Sequence, residues 1–167
     1  MQNNKAEFLK LIEENKLIIY KICNSYCKNL HDRDDLAQEI TYQLWKSYTL
    51  FNGTVKFTTW MYRVALNVAI TFYRKSKTAE AIIKLAEPDI EIEDPKENRD
   101  ELETNINTLQ QFINELKELD KALMILYLEE KSYNQIAEIL GITETNVATR
   151  ISRIKDKLKQ KFSIINN

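Results

Sequence analysis

The residues whose types and spacing best suit chemistry lie late in the 167-residue chain. Ser132 and Gln135 stand three apart, the spacing of a capping box, in which a hydroxyl and an amide satisfy the first free backbone N–H groups of a helix. They predict a short helix from Tyr133 to Leu140. Gly141 ends it, since glycine enters the left-handed turn conformation without a Cβ penalty. Thr143 then caps another helix, which carries Val147, Ile151, Ile154 and Leu158. Ala137, Gly141 and Val147 fall at the spacing of a helix-turn-helix: the small residue lets two helices approach, the glycine turns the chain, and the valine plugs the angle. The second helix presents Glu144, Thr145, Ala148, Thr149, Ser152 and Arg153 outward. Arg150, Arg153, Lys155, Lys157, Lys159 and Lys161 make its later turns basic. Hydrogen-bonding groups followed by cations suit base edges in a major groove with phosphates alongside. A plain helical hairpin would not need two caps, the glycine and the plug together.

Other chemistries find little support. The chain has one histidine, His31, no glycine-rich phosphate loop and no nucleophile motif with a base, so an enzyme is not expected. Cys23, Cys27 and His31 follow one another at intervals of four. A structural zinc site needs four ligands, so the two thiols are read as small residues at a helix interface, and no metal or cofactor is expected. No apolar run approaches the roughly 20 residues of a membrane span, and the mixed-charge N-terminus does not resemble a signal peptide. A cytoplasmic protein without membrane insertion is the expectation.

The helix-turn-helix needs elements to hold it, and the punctuation of the chain places them. Pro88 and Pro95 are the only prolines and Gly53 and Gly141 the only glycines. No stretch alternates like a strand, so the fold class is all-α. A first helix is expected over about 5–28, with Asn4 and Glu7 as capping box and an apolar face of Phe8, Leu11, Ile12, Ile19, Ile22 and Tyr26. Asp32 caps a second, with Asp34 and Asp35 in its first turn and Leu36, Ile40, Leu44 and Phe51 as its core stripe, stopped by Asn52 and Gly53. Thr58 or Thr59 caps a third, over about 60–77, whose core stripe is Trp60, Val64, Val68 and Phe72, with Met61 and Ala65 beside them. Leu109, Phe112, Ile113, Leu116 and Leu119 resume helical spacing, and Asp120 caps a helix with Leu123, Leu126 and Tyr127. The overall charge of −1 divides into +5 over 1–78, −7 over 79–108 and +1 over 109–167. Two small helical domains, 1–78 and 109–167, are therefore expected on either side of an acidic, flexible linker over 79–108, extended and mobile at 87–103, although 79–86 can prolong the third helix. The two blocks are expected to fold separately.

With these motifs in hand, the chain resembles the sigma-70 family, in particular its extracytoplasmic-function group. "DRDDLAQEITYQLWKSY" (32–48) is similar to that family's polymerase-binding segment, "FTTWMYRVALNVAITFYRK" (57–75) to the adjoining −10 segment, and "LEEKSYNQIAEILGITETNVATRISRIKDKLK" (128–159) to its −35 reader. Three motifs in order, covering nearly all the chain outside the linker, make the resemblance specific. It implies a region 2-like domain and a region 4-like domain, and a sigma factor that binds core RNA polymerase through its beta and beta-prime subunits and directs promoter recognition, promoter melting and transcription initiation. Promoter DNA and an anti-sigma factor are implied partners, and a monomer is expected when free.

The resemblance also implies site residues. Asp34, Asp35, Gln38, Glu39 and Trp45 match polymerase-contacting positions, although acidic residues on a helix are equally well read as a solvated face. Asn52, Lys56, Thr58, Trp60, Tyr62, Arg63, Asn67, Thr71 and Arg74 match the −10 surface, where the family's loop, here 51–58, captures a flipped base of the non-template strand. Arg63, Asn67, Thr71 and Arg74 recur down one side of the helix, while Trp60 is open to a core role or a base contact. Thr143, Glu144, Thr145, Asn146, Ala148, Thr149, Arg150 and Arg153 match the −35 reader. Ala148 stands where the family usually carries Lys or Arg, which puts the −35 base preference in doubt. In the family the linker threads through polymerase channels, where an acidic segment can mimic a phosphate chain; a self-repelling spacer explains the same charge. The rival reading is a DNA-binding regulator that never joins polymerase; it would not need the 32–75 block, and it would usually be a dimer.

Overall fold

A computed structural model describes the backbone of residues 2–84 and 101–165, and the side chains of 5–82 and 105–164. Among the described residues every element is helical: α1 (Gln2–Tyr26), α2 (Leu30–Tyr48), α3 (Phe57–Lys84), α4 (Glu101–Glu115), α5 (Glu118–Leu128), α6 (Tyr133–Leu140) and α7 (Glu144–Ile165). The all-α expectation holds. No helix among them is long and apolar enough to cross a membrane. Most of the stretch expected to be extended, 87–103, lies outside the described residues.

Several helix ends differ from expectation, each for a local reason. α1 already includes Gln2, so Asn4 lies within the helix and not at its start. Asn29, not Asp32, caps α2: its backbone is extended and its Oδ1 accepts the Asp32 N–H at 2.8 Å. Asp32 thereby sits in the first turn, where the helix dipole favours a carboxylate. α2 ends at Tyr48, so the fourth member of its buried stripe is Tyr48, and Phe51 packs beside it from the following loop. α3 starts at Phe57, placing Thr58 and Thr59 in its first turn instead of at its cap. It runs on to Lys84, and α4 begins at Glu101, so both ends of the expected linker are helical. Residues 78–84 and 101–108 contain neither proline nor glycine, and nothing local stops either helix. α5 is capped by Lys117 without a side-chain bond, leaving Asp120 inside its first turn.

The core stripe of α3 also shifts. Met61, Tyr62, Ala65, Leu66 and Ala69 are buried, whereas the expected Trp60, Val64, Val68 and Phe72 are half-buried at its margin. The reason is that α3 is covered from two sides: α1 and α2 pack on it, and so do α5 and α6. The small side chains of Ala65 and Ala69 permit close approach. One continuous core therefore joins Ile22, Leu36, Ile40 and Leu44 of the N-terminal block to Leu123, Leu126, Ile136 and Val147 of the C-terminal block. The separately folding blocks foreseen from the sequence are packed together here.

At their junction Lys121 of α5 is buried at 2% exposure. Its Nζ lies 4.6 Å from the centre of the Tyr73 ring and 5.4 Å from that of Tyr26. Burial, followed by the positive charges of Lys77 and Lys28, pulls its pKa down to about 8. The exposed, unfolded lysine keeps its proton to higher pH, so between about 8 and 10.5 the unfolded chain binds more protons and Lys121 favours folding increasingly as pH rises. Lys121→Met should accordingly raise the urea midpoint at pH 7, and its advantage over the wild type should shrink steadily above pH 8. A pH-independent difference would contradict the burial of a charged group.

The turn between α6 and α7 gives a second expectation. Gly141 has φ +68°, and its N–H and that of Ile142 both donate to the Ala137 carbonyl. A Cβ added there would meet nothing within 4 Å. Gly141→Ala should thus lose about 1 kcal/mol through backbone strain alone, and Gly141→Asn less, as read from urea midpoints at constant m-value.

Candidate nucleic-acid interface

The helix-turn-helix forms as its residues dictate. Ser132 and Gln135 make the complete capping box of α6. Thr143 Oγ1 accepts the Asn146 N–H at 3.2 Å at the start of α7. Val147 is fully buried at the crossing of α6 and α7, with Ile151 and Ile154 continuing that face. Thr143, Glu144, Thr145, Asn146, Thr149 and Arg153 are exposed, and Ala148 is half-buried. Side chains that can donate or accept hydrogen bonds thus line the outward arc of the first two turns, the arrangement that reads base edges in a major groove.

The basic residues of α7 divide between those with partners on other helices and those open to solvent. Arg150 Nη1 bonds Asp120 Oδ1 at 2.8 Å and its Nε bonds Asn146 Oδ1 at 2.9 Å. Lys155 Nζ lies 4.3 Å over the Tyr127 ring, and Lys161 pairs with Glu115. These three tie α7 to α4 and α5. Arg153, Lys157 and Lys159 are exposed, with no ion pair among the described residues. Sequence spacing assigned all six to one basic stretch. It missed Asp120 as the anchor of Arg150 because the two are 30 residues apart.

In the N-terminal block, Arg63, Asn67, Thr71 and Arg74 share a strip of about 80° on α3. That strip lies opposite the buried Met61, Ala65 and Ala69. Asn67 and Thr71 are exposed, and Thr71 Oγ1 donates to the Asn67 carbonyl. Arg63 is half-buried, Arg74 pairs with Glu118, and Tyr62 is 4% exposed beneath Lys131, whose Nζ is 5.5 Å from its ring. Before α3, Asn52 Oδ1 accepts from the Thr54 N–H and hydroxyl, and Gly53 has φ +72°. This turn brings Phe51 against Phe57 and Trp60, with ring centres 5.8 and 5.1 Å away, and Tyr48 lies behind them. Trp60 is therefore both a wall of the core and a partly open ring. Asn52 and Lys56 are exposed and Thr58 is half-buried. Phe51 belongs to this cluster by position alone; its place among the core stripe of α2 in the sequence pattern concealed that.

The polymerase-facing candidates lie on α2. Asp34, Asp35, Gln38, Glu39 and Trp45 fall within about 140° of arc, and all are exposed. Trp45 keeps 41% of its surface while its ring rests 5.0 Å from that of Phe8. Asp35, Gln38 and Glu39 face Asn67 and Thr71 across a groove of about 850 Å³ between α2 and α3. A second, apolar groove of about 540 Å³, lined by Phe8, Leu9, Tyr42 and Trp45, continues the same side. Acidic groups around a large aromatic make a serviceable protein interface.

Residues 11–78 match the Sigma-70 region 2 family, and residues 106–158 match the Sigma-70 region 4 family. Over 171 residues the chain is 30% identical to the ECF RNA polymerase sigma factor SigW of Bacillus subtilis (strain 168), covering 96% of this chain and 91% of that one. It is 28% identical to the RNA polymerase sigma factor SigV of the same organism, over 91% and 89% of the two chains. The chain belongs to the sigma-70 family, in its extracytoplasmic-function group. It is a sigma factor, directing promoter recognition and transcription initiation. Among solved structures, its fold is similar to that of CnrH in complex with the cytosolic domain of CnrY, with a TM-score of 0.68, 17% identity, and coverage of 96% of this chain and 90% of that one. It is also similar to the sigma factor RpoE in complex with the anti-sigma factor NepR from Bartonella quintana, with a TM-score of 0.64, 16% identity, and coverage of 98% and 99%. At these identities the likeness is one of fold.

The contrasting environments of Arg150 and Arg153 separate two effects. Arg150→Ala should lower the unfolding free energy by roughly 0.5–1 kcal/mol, the value of a partly screened pair, besides weakening DNA binding. Arg153→Ala should leave the unfolding midpoint unchanged, weaken binding to every duplex alike and reduce the slope of log K against log salt by about one. Denaturation and salt-titrated anisotropy measure both.

Proposed function

We propose that this sigma factor docks on core RNA polymerase through the exposed face of α2, binds the melted non-template strand of the −10 element along α3 and the 51–58 loop, and reads the −35 duplex with α7. The observation that carries the proposal is the exposed pair Asn67 and Thr71 in the middle of the polar strip, which line one groove with Asp35, Gln38 and Glu39. A strand held on α3 would thus run beside the polymerase-docking face. The half-open rings of Phe51, Phe57 and Trp60 can stack a flipped base, each stack returning roughly 1–3 kcal/mol against the loss of pairing. Residues 1–78 then serve polymerase and the −10 element, 109–167 serve the −35 element, and 79–108 join them. The protein acts in the cytoplasm as a monomer until it meets polymerase, and an anti-sigma factor controls it, as the complex of RpoE with NepR supports.

Run-off transcription with purified core polymerase and a library of genomic promoters is the direct test, with activity expected on a subset of promoters. Joint charge reversal at Asp35 and Glu39 should abolish co-purification with polymerase while leaving helicity intact; unchanged binding would favour a regulator that acts without polymerase. The division of labour is tested on a template with a pre-melted −10 bubble. The bubble should rescue Asn67→Ala, a defect in opening DNA, but not Arg150→Ala on a promoter that depends on its −35 element. Equal rescue of both would refute the division. Within α7, Thr149→Ala should lose roughly 1–3 kcal/mol of discrimination at one base pair.

A further inference from the structure

Asn146 stands in the first turn of α7, where its N–H donates to Thr143 Oγ1 at 3.2 Å, and the residue is exposed. One turn on, Arg150 Nε donates to Asn146 Oδ1 at 2.9 Å, the two residues sharing a face four positions apart. Arg150 is itself held from α5, since its Nη1 donates to Asp120 Oδ1 at 2.8 Å. Asp120 comes from the first turn of α5, and its side chain keeps only 21% of its surface. The three side chains form a run of hydrogen bonds from the body of the domain to the outward arc of α7. Its direction is set by chemistry. A carboxylate only accepts and a guanidinium only donates, so the Asn146 amide must turn its oxygen toward Arg150. The amide nitrogen is then the free end, and no described residue accepts from it.

We propose that Asp120 is a positioning residue for base recognition: acting through Arg150, it fixes the Asn146 amide as a donor and so makes α7 prefer guanine to adenine at one base pair of the −35 element. This rests on the assignment of the −35 duplex to α7. An unconstrained asparagine reads adenine with both ends of its amide, the nitrogen donating to N7 and the oxygen accepting from N6. Here the oxygen already takes a charge-assisted bond, and the adenine N6 group would have to approach it beside a cation. Guanine presents two acceptors on the same edge, N7 and O6, and asks only for donors. The amide nitrogen carries two. Arg150, Arg153 and Lys157 line a pocket of about 250 Å³ together with Asn146, and their positive field favours an edge of acceptors over one that carries a donor. Thymine O4 also accepts, but it is a single acceptor with a methyl group beside it. Without Asp120 the guanidinium is free to leave the amide for a phosphate, and the amide is free to turn.

The test uses the full chain bound to core polymerase and a duplex library randomised across the −35 element, with the bound duplexes identified by sequencing. The wild type should select guanine at one position, and Asn146→Ala should lose that selection. Placing 7-deazaguanine there, which lacks the N7 acceptor, should weaken binding by the wild type but not by Asn146→Ala. Arg150→Met frees the amide while keeping a long side chain. It should turn the selection at that position from guanine to adenine, changing the ratio of the two affinities by roughly tenfold or more. Asp120→Ala should shift the ratio the same way, whereas Asp120→Asn, which keeps an oxygen for Arg150, should retain the guanine preference. A merely structural Asp120 would lower affinity for every duplex alike and leave the order of bases unchanged. That result for both Arg150→Met and Asp120→Ala would overturn the proposal, as would selection of adenine by the wild type at the position that depends on Asn146. If Asn146→Ala alters selection nowhere while Thr149→Ala still alters it at one position, the role of Asn146 falls and the −35 assignment of α7 stands. If neither variant alters selection, the −35 assignment itself fails.

Discussion

Helix α3 must bury one broad arc under packing from two sides and still leave one polar strip in solvent. The rest of the molecule is arranged around that demand. Met61, Ala65, Ala69, Leu66 and Tyr62 form the buried arc, on which α1, α2, α5 and α6 all pack, with Lys131 of the C-terminal block over the Tyr62 ring. Together these five residues sweep about 140°. The half-buried Trp60, Val64, Val68 and Phe72 form one margin of that arc, and Arg63, Asn67, Thr71 and Arg74 occupy what remains. A helix so constrained cannot rotate without exposing apolar surface, at roughly 25 cal/mol per Å². The core thereby orients the polar strip, and its position relative to α2 follows from packing with no further device.

The second theme is the double use of charge. Half of the basic residues of α7 tie the helix to its own domain, through Asp120, Tyr127 and Glu115, and half project outward. An arginine held by Asp120 and Asn146 has a restricted side chain, so little further freedom would be lost were its remaining donors to meet an anion. Arg63 and Arg74 are likewise engaged, by partners from the other half of the chain. Cations tied within one domain pre-organise a surface.

Buried Lys121 belongs to the same logic. A methionine or leucine there would bind the halves more firmly, because moving an ammonium group from water carries a penalty that two aromatic faces offset only in part. The lowered pKa of this lysine records that penalty.

The sequence by itself determined whatever depends on residues three or four apart. The capping box of α6, the glycine turn, the plug at Val147, the outward arc of α7 and the all-helical class were legible because hydrogen bonds at helix ends and the 3.6-residue period are local properties. The order of the three motifs made the family legible as well. Tertiary structure alone decided which arc of α3 is buried, since the apolar residues there are numerous enough to allow several choices and only covering from two sides selects among them. It also decided that Asp120 anchors Arg150, that Lys121 lies between Tyr26 and Tyr73, and that Arg63 and Arg74 meet α6 and α5. These partners stand 30 to 108 residues apart, like Lys21 and Glu129. No periodicity links such positions; they meet because burying the remaining face of α3 brings the second half of the chain onto the first.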